Sequence, residues 1–115
     1  PDLVKRFVRA TLKSLIWTHD NVEEAMKEVV KVSPDRDHKL ESRKLRMIYD
    51  MYNNGDYAAR FGQMTNDKWA STIEIMATAG DLIKKPAPTA MYTNQFVDAL
   101  DEAKTLATLI KQPAK

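Results

Sequence analysis

Apolar positions recur three and four residues apart along most of the chain, so the pattern predicts helices. Leu3, Val4, Phe7, Val8, Leu12, Leu15 and Ile16 mark the first, and they cover more than half of its circumference. So wide an apolar arc predicts a helix packed on more than one side. Pro1 and Asp2 suit its first turn. Asp20 or Asn21 is expected to cap a second helix, with Glu23 and Glu24 in its first turn and Asp20–Glu23 at capping-box spacing. Val22, Ala25, Met26, Val29 and Val30 form its apolar face, and Ser33-Pro34-Asp35 ends it, since the residue before proline leaves the helical region.

A third helix is expected from about Asp37 to Tyr52, with Leu40, Met47, Ile48, Met51 and Tyr52 inward and Asn53-Asn54-Gly55 as its stop. Asp56 to Met64 reads as a loop bearing Tyr57 and Phe61. Thr65, Asn66 or Asp67 opens a fourth helix with Trp69, Ala70, Ile73, Met76 and Ala77 buried and Gly80 just past its end. Lys84-Lys85-Pro86-Ala87-Pro88 reads as extended. Thr93 or Asn94 opens a last helix through about Lys111, with Phe96, Val97, Leu100, Ala103, Ala107 and Ile110 as its apolar positions. No segment sustains a two-residue alternation, so the expected fold is all-α, about five helices in one unit over residues 1–115.

Composition narrows the chemistry. The 115 residues hold no Cys and three Gly, where average usage would give about eight. Dinucleotide fingerprints, phosphate loops, disulfides, zinc knuckles and thiol nucleophiles are thereby excluded. No apolar run is long enough to span a membrane. The net charge is +2, too small to imply a polyanionic partner. The amino-terminal residues have no apolar leader-like core, and no initiator Met precedes Pro1. The expectation is a piece of something longer.

Candidate sites are few. His19 and His38 lack a second ligand at metal spacing and read as structural. Ser14, Ser33, Ser42 and Ser71 lack the glycine-flanked elbow of a nucleophile. The carboxylates are interleaved with Lys and Arg on exposed faces, and no cleft pair is apparent. Arg36, Lys39, Arg43 and Arg46 share one side of the third helix, and the second and third helices could form a helix-turn-helix. Asp35, Asp37, Glu41 and Asp50 dilute that stripe to +1 over residues 35–50, so a salt-bridged solvated face is expected. No catalytic, cofactor-binding or metal-binding residue is assigned. The six Met and two Trp read as core.

Two stretches carry a family resemblance together. One is Pro1-Asp2-Leu3-Val4-Lys5-Arg6-Phe7-Val8-Arg9-Ala10-Thr11, followed by Asn21-Val22-Glu23-Glu24-Ala25. The other runs from Gly62-Gln63-Met64 through Trp69, Thr72-Ile73 and Gly80 to Ile83-Lys84-Lys85-Pro86 and closes on Tyr92-Thr93-Asn94-Gln95-Phe96. In order and spacing they resemble the C-terminal part of ABC-transporter substrate-binding proteins of the thiamine-pyrimidine, alkylsulfonate, taurine and nitrate group. Ser14-Leu15-Ile16-Trp17 departs from that pattern, which has Gly before the aromatic.

The resemblance implies a two-lobed α/β parent of the type II periplasmic-binding-protein fold, with a small-molecule ligand in the cleft and an ABC permease as partner. It implies an extracytoplasmic location and no catalysis, with most ligand contacts in lobes outside this chain. It also implies that the isolated piece exposes apolar surface and self-associates. Related fungal enzymes use pyridoxal phosphate and carry a Cys-rich motif, which is missing here. The alternative is a free-standing helical interaction or nucleic-acid-binding module resting on the basic stripe.

Overall fold

A computed structural model describes residues 2–53 and 61–115. Among these residues six α-helices form: α1 (Asp2–Asp20), α2 (Val22–Val32), α3 (His38–Tyr52), α4 (Asn66–Thr78), α5 (Gln95–Asp98) and α6 (Asp101–Leu109). A 3-10 turn spans Pro88–Ala90. No strand forms among the described residues, so the all-α expectation holds. Pro1, Asn54, Gly55 and Tyr57, to which the sequence assigned a helix start, a helix stop and a loop aromatic, lie outside the described residues.

Local signals place most helix ends. Asp37 Oδ1 accepts from the Leu40 N–H at 2.6 Å and caps α3. Thr65 Oγ1 accepts from the Lys68 N–H and caps α4. Gly80, at φ +83°, turns the chain out of α4. Asp81 N–H then reaches Met76 O at 2.9 Å, and Gly80 N–H reaches Ala77 O at 3.2 Å. That pair of bonds satisfies carbonyls the helix itself leaves open.

The expected box at Asp20–Glu23 does not form. Asn21 occupies the N-cap of α2 without a side-chain cap, and its Nδ2 donates back to Trp17 O at 2.8 Å. Asp20 and Glu23 are drawn elsewhere, to His19 and to α3.

The core lies between α1, α3 and the carboxy-terminal segment. Leu12, Val22, Tyr49, Leu100, Ala103, Leu106, Ile110 and Ala114 are its buried members. Each large apolar side chain removed from water in this way contributes about 1.5–3 kcal/mol before entropy is counted. α1 packs against α6, α5 and α2, and α2 packs against α3.

Two expected faces are corrected here. On α3 the inward side is Ser42, Leu45, Tyr49 and Tyr52, while Leu40, Met47, Ile48 and Met51 face solvent. On the last helix the expected continuous run breaks at Leu100, whose φ of −119° and ψ of 124° are extended. The break sends the Leu100 side chain into the core and rotates α6, so Leu106 is fully buried and Ala107 only partly. Asp101 and Glu102 then occupy the first turn of a new helix, where acids suit the dipole.

α4 stands apart from this core and packs on the 3-10 turn. Trp69 stacks on Tyr92 with ring planes 4° apart, and Tyr92 Oη donates to Asn66 Oδ1 at 3.0 Å. Trp69 is half-buried and Ala70 and Met76 are exposed, so of the expected stripe only Ile73 is fully buried.

The radius of gyration is 16.8 Å, against about 13 Å for a closed domain of this length. Among the described residues the helices do not close around one another. Among the described residues fourteen large hydrophobic side chains remain exposed, more than the eleven hydrophobic residues that are buried.

Candidate functional site

The buried histidine is the first place to look for chemistry. His19 lies at the end of α1 with its ring fully enclosed. Nδ1 is 3.0 Å from Asp20 Oδ1 and Nε2 is 3.1 Å from Gln112 O. Both partners are oxygen acceptors, so each ring nitrogen that carries a proton has a partner. The ring edge meets Tyr49 at 5.1 Å. Around it the Lys115 main chain closes two helix ends at once. Its N–H donates to His19 O and its carbonyl accepts from Val22 N–H, both at 2.8 Å. His19 therefore pins the last residues of the chain onto the α1–α2 junction, which is a structural role.

His38, Ser42 and Arg46 project from one face of α3 and converge on Glu23 of α2. Arg46 Nη2 lies 2.8 Å from Glu23 Oε1, and Ser42 Oγ donates to Oε2 at 3.2 Å. His38 Nε2 is 3.1 Å from the Glu23 main-chain oxygen, and its Nδ1 is 3.7 Å from Oε2. The hydrogen-bonded Arg46 guanidinium holds the Glu23 carboxyl below the usual carboxylate range, helped by the Ser42 bond and the His38 charge and opposed by desolvation. The set contains Ser, His and Glu, but the hydroxyl meets the carboxylate rather than the imidazole. A nucleophile needs its base within reach, and here no such contact exists. The cluster ties α2 to α3.

The basic stripe divides in the same way. Arg46 is held by Glu23, and Arg36 reaches Glu41 at 3.4 Å. Lys44 also binds Glu41 and holds its carboxyl below the ordinary range. Only Lys39 and Arg43 of the stripe are left without an ion pair among the described residues. Of the remaining candidates, Ser14, Ser71 and Glu24 are exposed, and Ser33 caps the end of α2. No group of three His, Asp or Glu side chains converges among the described residues. No helix among the described residues is long and apolar enough to cross a membrane.

A pocket lies beside α5 and α6. Phe61, Val97, Leu100, Ala103 and Ala107 give it an apolar wall, and Gln63, Asp98 and Lys104 line its polar side. Gln63 Nε2 donates to Asp98 Oδ1 at 2.5 Å across the rim. Its volume of about 170 Å³ is below the range of about 300–1,000 Å³ that encloses a small-molecule ligand.

Two arrangements have more reach than any of these. The first is a clamp. Asn94 Oδ1 accepts from Met64 N–H at 2.9 Å while its Nδ2 donates to Met64 O at 2.8 Å. Gly62 sits just before it at φ +79°, where an added Cβ would meet Val97 Cγ1 at 3.4 Å. The local sequence marks Asn94 as a helix cap and as part of the second stretch; its pairing with Met64, thirty positions away, carries no local signal. The second is the outer side of α1, where Leu3 and Phe7 are each 71% exposed and Trp17 is 48% exposed. The helix has apolar residues on opposite sides, and among the described residues only one side is covered.

Comparison of the chain with protein-family models, with curated proteins and with solved structures gives no match.

Proposed function

We propose that this chain is the helical part of an extracytoplasmic solute-binding protein, which captures a small molecule and passes it to an ABC importer. The ligand site lies mostly in lobes outside these residues. The observation that carries this reading is the Asn94 clamp. Gly62-Gln63-Met64 and Tyr92-Thr93-Asn94-Gln95-Phe96 open and close the second of the two quoted stretches, and they meet through a reciprocal pair of hydrogen bonds. Trp69, from the middle of that stretch, stacks on Tyr92. Residues spaced along the sequence as a set thus act as one structural unit. The uncovered side of α3 and the expanded radius of gyration also suit a piece packed against further layers.

The test is the coding sequence upstream of Pro1, followed by expression of the whole chain. A leader followed by strand–helix alternation is expected. A thermal-shift panel of pyrimidines, alkylsulfonates, taurine and nitrate should then raise the melting temperature of the whole chain with one class. A start codon immediately before Pro1 overturns the proposal.

The second reading, a helical nucleic-acid-binding module, draws on Lys39 and Arg43. Two cations without an ion pair among the described residues are few for a phosphate footprint. Duplex DNA titrated at two salt concentrations decides it: affinity that falls steeply with salt supports this reading, and no binding removes it.

A further inference from the structure

We propose that the outer side of α1 is a docking seam for a second α-helix, one whose apolar stripe is edged by acidic side chains. This inference goes beyond the solute-binding reading and does not depend on it.

Leu3, Phe7, Ala10, Ser14 and Trp17 alternate four and three residues apart and all are exposed. That is the 3.5-residue spacing with which one helix meets another, knobs into holes. The opposite side of the same helix, Val8, Leu12, Leu15 and His19, packs into the core. α1 therefore cannot roll to hide the seam. The profile of the seam is specific: Leu3 and Phe7 at one end, Trp17 at the other, and the small Ala10 and Ser14 between. Small residues in mid-seam let a partner backbone approach closely. A lipid surface would instead favour a broad apolar face without a central serine.

Charge selects the partner. One edge of the seam carries Arg6 and Lys13, both exposed, and ends on Asp20, which is taken up by His19 and Lys115; the other carries Val4, Thr11 and Thr18. Arg6 pairs only with the exposed Asp2, and Lys13 has no ion pair among the described residues. A second copy of α1 placed antiparallel would set these cations against each other, and placed parallel would set them against threonines. Neither arrangement satisfies them. A helix with Glu along its facing edge does, since charges flanking a helical seam set partner choice.

The experiment uses the full chain carrying Trp69→Phe, so that Trp17 is the only indole. Two synthetic amphipathic helices with identical Leu seams are titrated, one with Glu and one with Lys at the edge positions. The Glu-edged peptide should shift Trp17 emission to the blue and bind at least about tenfold tighter than the Lys-edged one. Phe7→Glu should abolish that shift, and Arg6→Glu with Lys13→Glu should reverse the preference. All three positions are exposed, and far-ultraviolet circular dichroism checks that the helices persist. Equal binding of both peptides, or none, overturns the proposal. So does a blue shift that appears with protein concentration alone, which assigns the seam to a second copy. A shift produced by anionic lipid vesicles and not by the Glu-edged peptide assigns it to a membrane and likewise overturns it.

Discussion

The Tyr49 hydroxyl donates a 2.7 Å hydrogen bond to the main-chain carbonyl of Leu15, and this single bond joins α3 to α1 inside the core. Tyr49 is 1% exposed. Its ring meets His19 edge-on at 5.1 Å on one side and Tyr52 at 6.1 Å on the other, and Tyr52 in turn meets Phe61 at 5.0 Å. A row of perpendicular rings thus runs from the end of α1 to the wall of the pocket. Such edge-to-face pairs add to the gain from burial alone.

Tyr49→Phe keeps the rings and removes the bond. It should destabilise the protein by about 1 kcal/mol, the ordinary net worth of one hydrogen bond. Urea denaturation followed by circular dichroism measures this, and an unchanged midpoint would show that the bond contributes nothing.

The same hydroxyl makes the fold sensitive to alkali. Burial, with the neighbouring Tyr52 and the Asp20 charge, pushes the Tyr49 pKa from 10.0 up to about 12. The folded protein therefore favours the neutral phenol more than the unfolded chain does. Its contribution is complete below pH 10 and is lost as pH rises through about 12. Phenolate absorbance should show a tyrosine ionising as pH rises toward about 12, together with loss of helical signal. Tyr49→Phe should lose that late step.

His19→Ala removes a fully enclosed ring and leaves Gln112 O without its side-chain partner. A cost of about 2–4 kcal/mol is expected from the cavity and the lost bonds. Because His19 holds the segment that reaches Lys115, carboxypeptidase should trim the variant faster than the parent. Equal trimming would mean that the Lys115 main-chain bonds hold the terminus without the ring.

Asn94→Ala cuts both bonds to Met64 and should cost about 1–2 kcal/mol. The effect should be local, since α4 and the 3-10 turn pack on each other rather than on the core. Trp69 emission should therefore change at lower denaturant than the helical signal as a whole. Coincident transitions would show that the clamp and the core unfold together.

Gly62→Ala and Gly80→Ala form a matched pair. Both residues have positive φ, a region that costs an L side chain about 1–2 kcal/mol. At Gly62 an added Cβ would also sit 3.4 Å from Val97 Cγ1, whereas at Gly80 it meets open space. Thermal melts should show a loss for both and a larger loss at position 62. The reverse order would mean that Val97 yields freely.

Much of the architecture was readable along the chain, because helix limits depend on neighbours a turn away. Asp37 and Thr65 cap, Pro34 ends α2, and Gly80 supplies the left-handed residue after α4; each acts within a few positions of its own helix. The all-α class follows from the spacing of apolar residues for the same reason. Which apolar side turns inward is a different matter. α1 and α3 both carry apolar residues on opposing sides, and spacing alone cannot rank them. Tyr49 and Ser42 won the inward face of α3 because Leu15 O and Glu23 supply their polar atoms with partners, whereas Met47 and Met51 remain outside. Leu100 broke the last helix because its burial outweighed the continuity of a few backbone bonds. The enclosure of His19, the Lys115 bridge and the Asn94–Met64 clamp join residues thirty to ninety-six positions apart. Bonds over such separations leave no trace in local pattern; they exist only once the chain has brought their ends together.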